Sequence, residues 1–179
     1  MKEQKAFWNR PTAIIGVTGG IVFGIAAYVY AFFPAISNYL WCFYVGYFMT
    51  VVTGQNPKNF VKYIVCFICG YFWAWCFWYG QDLFVALGVT NWPLARALGD
   101  FTVTFIMLYI HLHLLRNTVA NTPPLMFAAV ATIFGNHGYW EHLPKAGVSI
   151  FCGMAMALLC GMVNTAWINA KKTNKEIQK

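Results

Sequence analysis

The chain has 179 residues, 60% hydrophobic and only 9% charged, with a mean hydropathy of +0.56 and a formal net charge of +7. An ordinary soluble domain carries about 25% charged residues, so there is no room here for a soluble catalytic unit. The basic residues sit between apolar runs and no nucleic-acid-binding motif accompanies them, so the charge reads as membrane topology rather than as a nucleic-acid footprint.

A helix needs about 20 mostly apolar residues to cross a bilayer. The sequence is therefore expected to be an all-α polytopic membrane protein, 1–179 forming a single integral membrane domain with about six transmembrane helices. Met1 to Arg10 carries Lys2, Lys5 and Arg10 ahead of an apolar run from Thr12 to Phe33. That run is long for a signal peptide and has no Ala-x-Ala-like exit, so it is expected to be the first span. Within it Gly16, Gly20 and Gly24 recur every four residues, a face on which another backbone could lie close. A turn at Pro34 to Asn38 leads to Tyr39 to Thr53, a second run that is about 22 Å long as a helix and short for a span. Gly54-Gln55-Asn56-Pro57-Lys58-Asn59 ends it. The third run, Phe60 to Tyr79, is crowded with aromatics, among them Phe67, Tyr71, Phe72, Trp73, Trp75, Phe77, Trp78 and Tyr79. Lipid-facing bulk and an interfacial belt are the expected roles, with the walls of a narrow pore as the alternative.

Gln81 to Leu98 is expected to be the longest connector, with a short interfacial helix around Leu83 to Leu87. Asp100 then opens the fourth run, Phe101 to Leu115, where it would cap the helix start and meet the positive end of its dipole. The run ends in His111-Leu112-His113. Histidines two apart on a helix point about 200° from one another, so these two cannot share a metal or a lumen. Each is expected to be interfacial or hydrogen-bonded rather than a proton relay. Pro123-Pro124 places the start of the fifth run near Leu125, and Gly135 breaks it after about 17 Å, too short to span alone. The sixth run, Lys145 to Ile168, repeats the small-residue spacing with Gly153, Ala157 and Gly161, a face that could mate with that of the first span. The segment 169–179 is a basic tail.

Most of the polar chemistry falls in Gly135-Asn136-His137-Gly138-Tyr139-Trp140-Glu141-His142-Leu143-Pro144, which holds two of the four histidines and one of the five acids. Irregular polar backbone at membrane depth is tolerated only where it is buried in protein or lines a wet cavity, which makes this segment a candidate site. With the amino terminus inside, ten lysines and arginines fall on the inner side and two, Arg96 and Lys145, on the outer, as the positive-inside rule expects. Both termini are then cytoplasmic. The second and fifth runs are the short ones, each ends at a glycine followed by polar residues, and each precedes a run containing Cys-Gly, at Cys69-Gly70 and Cys152-Gly153. The pattern suggests an inverted 3+3 repeat with halves 12–80 and 99–168, and paired short segments of this kind point to a transporter's binding site. Gln55, Asn56, Asn59, Asn136, His137, Trp140 and Glu141 are the candidate substrate or pore residues. His137, Glu141 and His142 could together hold a metal. The cysteines Cys42, Cys66, Cys69, Cys76, Cys152 and Cys160 all lie in apolar runs and are expected to be hydrophobic filler.

Gly19-Gly20-(x)3-Gly24, Gly54-x-x-Pro57 and Phe134-Gly135-Asn136-His137-Gly138-x-Trp140 together resemble the bacterial inner-membrane family catalogued as domain of unknown function 1097, over roughly Thr12 to Trp167. The resemblance implies a compact multispan bacterial membrane protein and carries no established activity or catalytic residue. Asn56-Pro57 is also similar to the Asn-Pro pairs of aquaporin-like repeats, but the second half has Asn136-His137-Gly138 instead, so that fold is not implied. No nucleophile elbow, phosphate-binding loop or His-Glu-x-x-His motif is present, and no enzyme activity or cofactor is expected. The functional expectation is a homo-oligomeric channel or transporter, embedded in lipid, for a small neutral solute of the urea, short amide, amine or ammonia class. The alternatives are a non-transporting membrane scaffold and a membrane metal sensor.

Overall fold

The structure, a computed structural model, describes residues 11–136 and 140–177. Every element among them is helical: α1 (Pro11–Ala31), α2 (Pro34–Ser37), α3 (Leu40–Val52), α4 (Phe60–Ala86), α5 (Trp92–Tyr109), α6 (Pro123–Gly135) and α7 (Leu143–Ile177). All six apolar runs are helices. Four segments, Ile14–Ala31, Pro57–Ala86, Trp92–Leu114 and Leu143–Ala170, are long and apolar enough to cross a membrane. The helices of the second and fifth runs, α3 and α6, have 13 residues each, about 20 Å, so the expected shortness is real.

Local chemistry sets these lengths. At the end of α3 the Gln55 N–H reaches the Thr50 carbonyl and the Gly54 N–H the Val51 carbonyl, with Gly54 at φ +102°. This is the paired closure of a glycine-terminated helix, which satisfies carbonyls that would otherwise be orphaned. The end of α4 repeats it with Gly88 at φ +94°, Val89 bonding to Phe84 and Gly88 to Val85. Pro123 and Pro124 open α6, where a missing N–H costs nothing because the first turn has no partner for it.

Two sequence expectations are corrected. The connector between the third and fourth runs is short, because α4 continues to Ala86 and α5 begins at Trp92, absorbing most of Gln81 to Leu98. Asp100 is not a helix cap. Asn91 performs that job, accepting from the Leu94 N–H at 3.1 Å, while Asp100 lies within α5 and faces Arg96 one turn away at 3.9 Å. The sequence Asn-Trp-Pro was the stronger start signal, a capping residue followed by proline in the first turn.

The chain forms two compact units, Met1–Pro57 with Lys145–Lys179, and Lys58–Pro144. They cut across the sequence halves 12–80 and 99–168, since the long helix that ends each half belongs to the unit of the other half's short helix.

In the first unit α1 buries Val22, Ala26 and Tyr30, spaced at four residues, against Phe43 and Tyr47 of α3 and Ala157 and Cys160 of α7. Phe23 adds a ring contact with Tyr44 at 4.4 Å between centroids. The α7 small face is used, though not against the glycines of α1. A Cβ on Gly153 would overlap the Phe43 carbonyl, a Cβ on Gly46 the Ile150 carbonyl, and a Cβ on Gly161 would stand 2.9 Å from Gln55. Ala157 lies fully buried between them. Gly16, Gly20 and Gly24 have no atom within 4 Å of where a Cβ would stand. The face of α7 therefore mates with α3 and the Gln55 turn, because Phe43 and Tyr47 present backbone at the spacing the small residues allow.

In the second unit α4 packs on both α5 and α6. A Cβ on Gly70 would stand 2.5 Å from the Met126 carbonyl oxygen and 2.6 Å from the Ala129 Cβ, and one on Gly99 2.7 Å from the Gly80 backbone. The α4–α6 contact has the same register as the α7–α3 contact of the first unit: the differences 153 − 70 and 126 − 43 are both 83. The Cys-Gly pairs visible in the sequence thus mark the closest helix approach in each unit.

Candidate functional site

Past the glycine that closes α3, Gln55 stands at φ +49°, the left-handed region that costs a residue with a Cβ roughly 1–2 kcal/mol. Its side chain shows what holds it there. The Gln55 Nε2 donates to the Ala157 carbonyl at 2.9 Å, reaching across to α7. Gly161, one turn on, leaves the room its backbone needs, so the turn and helix touch where any larger residue would separate them. Around this contact lies an open pocket of about 540 Å³, lined by Gln55, Asn56 and Pro57 on one side and by Gly161, Thr165 and Asn169 of α7 on the other. Among the described residues no charged side chain lines it. Its hydrogen-bonding groups are amides and a hydroxyl, and the Thr165 hydroxyl itself donates to the Gly161 carbonyl at 2.8 Å. Such a surface can hold a neutral molecule that donates and accepts hydrogen bonds.

The other candidate residues fall elsewhere. Asn59 is half-buried in the 3₁₀ turn Pro57–Asn59 and does not line the pocket. Asn136 closes α6, its Nδ2 donating to the Thr132 carbonyl at 2.7 Å and its own N–H bonding back to Thr132 and Ile133. His137 lies outside the described residues, and so does the side chain of Trp140. Glu141 is exposed, 3.8 Å from the half-exposed His142. Among the described residues no group of three histidines, cysteines or acids is placed to hold a metal, and His137 falls outside that search. Gln55 and Asn56 belong to the first unit, and Asn136, Glu141 and His142 to the second.

Thr165 and Asn169 were missed by sequence reasoning, although they follow Gly161 at four-residue spacing on one face of α7. That spacing was the available signal.

The second unit has a different interior. A groove of about 1080 Å³ runs between α4 and α5, walled by Phe72, Trp75, Leu83 and Ile106 among other apolar side chains. At its base Trp73 Nε1 donates to His111 Nε2 at 2.8 Å, and His111 Nδ1 lies 2.5 Å from the Ala120 carbonyl. Indole N–H only donates, so Nε2 accepts and Nδ1 carries the proton toward Ala120. Both ring nitrogens are thereby engaged, and His111, 3% exposed, joins three segments of the unit. Its carrier is a π-type turn, Ile110–Leu114, which leaves His113 exposed and stacked on Tyr109. The two histidines point apart as their spacing requires, and His111 is the hydrogen-bonded residue the sequence suggested.

Comparison with protein families matches residues 16–171, nearly the whole helical body. The chain belongs to the family described as protein of unknown function (DUF1097). No curated protein and no solved structure matches the chain. For this DUF1097 protein the function therefore has to be read from its own residues, and two of the sequence motifs quoted above begin at or beside the ends of the short helices: Gly54 follows α3, and Gly135 is the last residue of α6.

Proposed function

We propose that the protein is a passage for a small neutral solute of the urea, short amide, amine or ammonia class, and that the Gln55 pocket is where the solute enters. The observation that carries this is the pocket's chemistry: a left-handed glutamine, brought against α7 where Gly161 leaves room, stands with other uncharged donors and acceptors in a chain that is 60% hydrophobic. Narrow pores select neutral solutes by size and by hydrogen bonds of this kind. In this reading the pocket faces the inner side of a bacterial inner membrane with both termini cytoplasmic, an orientation that the lysine and arginine distribution supports.

We also infer that the two units are copies of one design. The shared 83-residue register of Gly70 on Met126 and Gly153 on Phe43 supports it. If all six helices cross, each is an odd number of crossings from its counterpart, as in an inverted repeat. The copies exchange their closing helices, so that α7 completes the first and α4 the second. The exposed Gly16, Gly20 and Gly24 face of α1 supports assembly with a second copy of the chain.

The test is stopped-flow light scattering on proteoliposomes challenged with urea, acetamide, glycerol and an ammonium gradient. The expected result is faster relaxation for one of them, reduced when Gln55 is replaced by Leu. Folded, inserted protein that accelerates none of them would remove the passage and leave the scaffold.

A further inference from the structure

Among the described residues three polar atoms buried in the first unit have no nitrogen or oxygen hydrogen-bond partner: Ser149 Oγ and, on residues only 2% and 4% exposed, the Tyr47 hydroxyl and Asn164 Oδ1. The last two belong to one neighbourhood. Asn164 Nδ2 donates to Thr18 Oγ1 at 3.4 Å, Tyr47 packs its hydroxyl over Gly19, the next residue of α1, and Cys160, one turn before Asn164 on α7, lies beside Tyr47. The orientation of the amide follows from Thr18. Its hydroxyl proton goes to the Ile14 carbonyl at 3.0 Å, so a lone pair faces Asn164 and the amide nitrogen is the end that turns to it. Oδ1 is then the end left over. A buried polar atom without a partner is costly, and such atoms in native proteins are met by a water or a ligand.

We propose that Tyr47 and Asn164, beside Thr18, form a binding point for one water-sized neutral molecule that both donates and accepts a hydrogen bond, namely water or ammonia. Asn164 Oδ1 demands a donor, and the Tyr47 proton demands an acceptor, the thiol of Cys160 being a weak one. Ammonium and sodium ions have no lone pair for the Tyr47 proton. The burial of both residues limits the guest to the size of a water rather than of urea. Asn164 also sits between Gly161 and Thr165, which line the Gln55 pocket, so the site lies within a turn of the proposed entrance. Its part in transport rests on the passage proposed above; its occupancy does not.

Two measurements separate those ideas. The first is a double-mutant cycle on the purified full chain, with Tyr47→Phe, Asn164→Ala and both together, read as the midpoint of thermal unfolding. A shared guest predicts that Tyr47→Phe lowers the midpoint and that the two changes are not additive. A Tyr47→Phe midpoint at or above wild type means the cluster is dry and overturns the site; this single variant decides even if Asn164→Ala fails to fold. The second is flux through proteoliposomes, with luminal alkalinisation reporting ammonia and osmotic shrinkage reporting water. Tyr47→Phe is expected to slow one of them about tenfold, the scale of one buried hydrogen bond, and the arm that changes names the guest. A thermal coupling with both fluxes unchanged overturns the site's place on the path. A wild type that moves neither molecule overturns the site's place on the path, and the thermal cycle then decides the site alone.

Discussion

Gly153 against Phe43 in the first unit and Gly70 against Met126 in the second are the same contact built twice, yet the surroundings of the two contacts differ. In the first unit the short helix ends at a left-handed glutamine beside an amide-lined pocket, and three buried polar atoms among the described residues, on Tyr47, Ser149 and Asn164, are without a nitrogen or oxygen partner. In the second the short helix ends in Asn136 bonded to its own helix, and the buried His111 has both nitrogens engaged. One helix arrangement can therefore serve as a frame braced by a buried histidine, with Asn121 Oδ1 its one unpartnered buried side-chain atom among the described residues, or as a site with a polar pocket and more unused hydrogen-bonding capacity. The difference lies in a few side chains at the helix ends, which is why the function is assigned to the first unit.

The comparison breaks most severely at the shared glycines. Gly153→Ala and Gly70→Ala should each destabilise the protein by about 3 kcal/mol or more, because the new methyl meets backbone that cannot rotate away. Chemical denaturation in detergent measures this, and Gly20→Ala, with open space around it, should stay within about 0.5 kcal/mol. Equal tolerance at all three would show that the close approach is not what holds the units. Next in size, His111→Leu should cost about 2 kcal/mol by stranding the Trp73 N–H and the Ala120 carbonyl. Flux should survive it, since the second unit is the frame; a loss of flux at full stability would move the passage there.

Gln55→Gly sharpens the comparison from the other side. It relieves left-handed strain of roughly 1–2 kcal/mol and loses a hydrogen bond of about 1 kcal/mol. Stability should barely change or rise slightly while solute flux falls, a separation that a purely structural glutamine would not give. The smallest effect is expected at Arg96→Ala or Asp100→Asn, within about 0.5 kcal/mol, because their contact is half-exposed and 3.9 Å long.

The helices were legible in the sequence because apolar runs in a chain this hydrophobic leave little else to form, and the short second and fifth runs were bounded by Gly54, Pro123-Pro124 and Gly135. The Cys-Gly pairs were visible too, but not their contact, since periodicity names a face without naming its partner. That is how the Gly153, Ala157 and Gly161 face was expected against the glycines of α1, while its glycines are found against α3 and Gln55. The start of α5 was misplaced because Asp100 and Asn91 are both good caps, and only the helix itself shows which is used. Gln55 and Asn56 were recognised as a polar break, whereas Thr165 and Asn169 were hidden in a helix whose face could be assigned only once Gly161 was seen against Gln55. The Tyr47 and Asn164 cluster left no sequence signal, because an unmet hydrogen bond is a property of packing.

The most direct test sets matched changes in the two units against each other: solute flux through proteoliposomes of wild type, Gln55→Leu and Cys69→Ala, the last altering the groove of the second unit. The account predicts that only Gln55→Leu slows the solute, with both variants folded and inserted. Equal flux in all three, or a loss confined to Cys69→Ala, would contradict it.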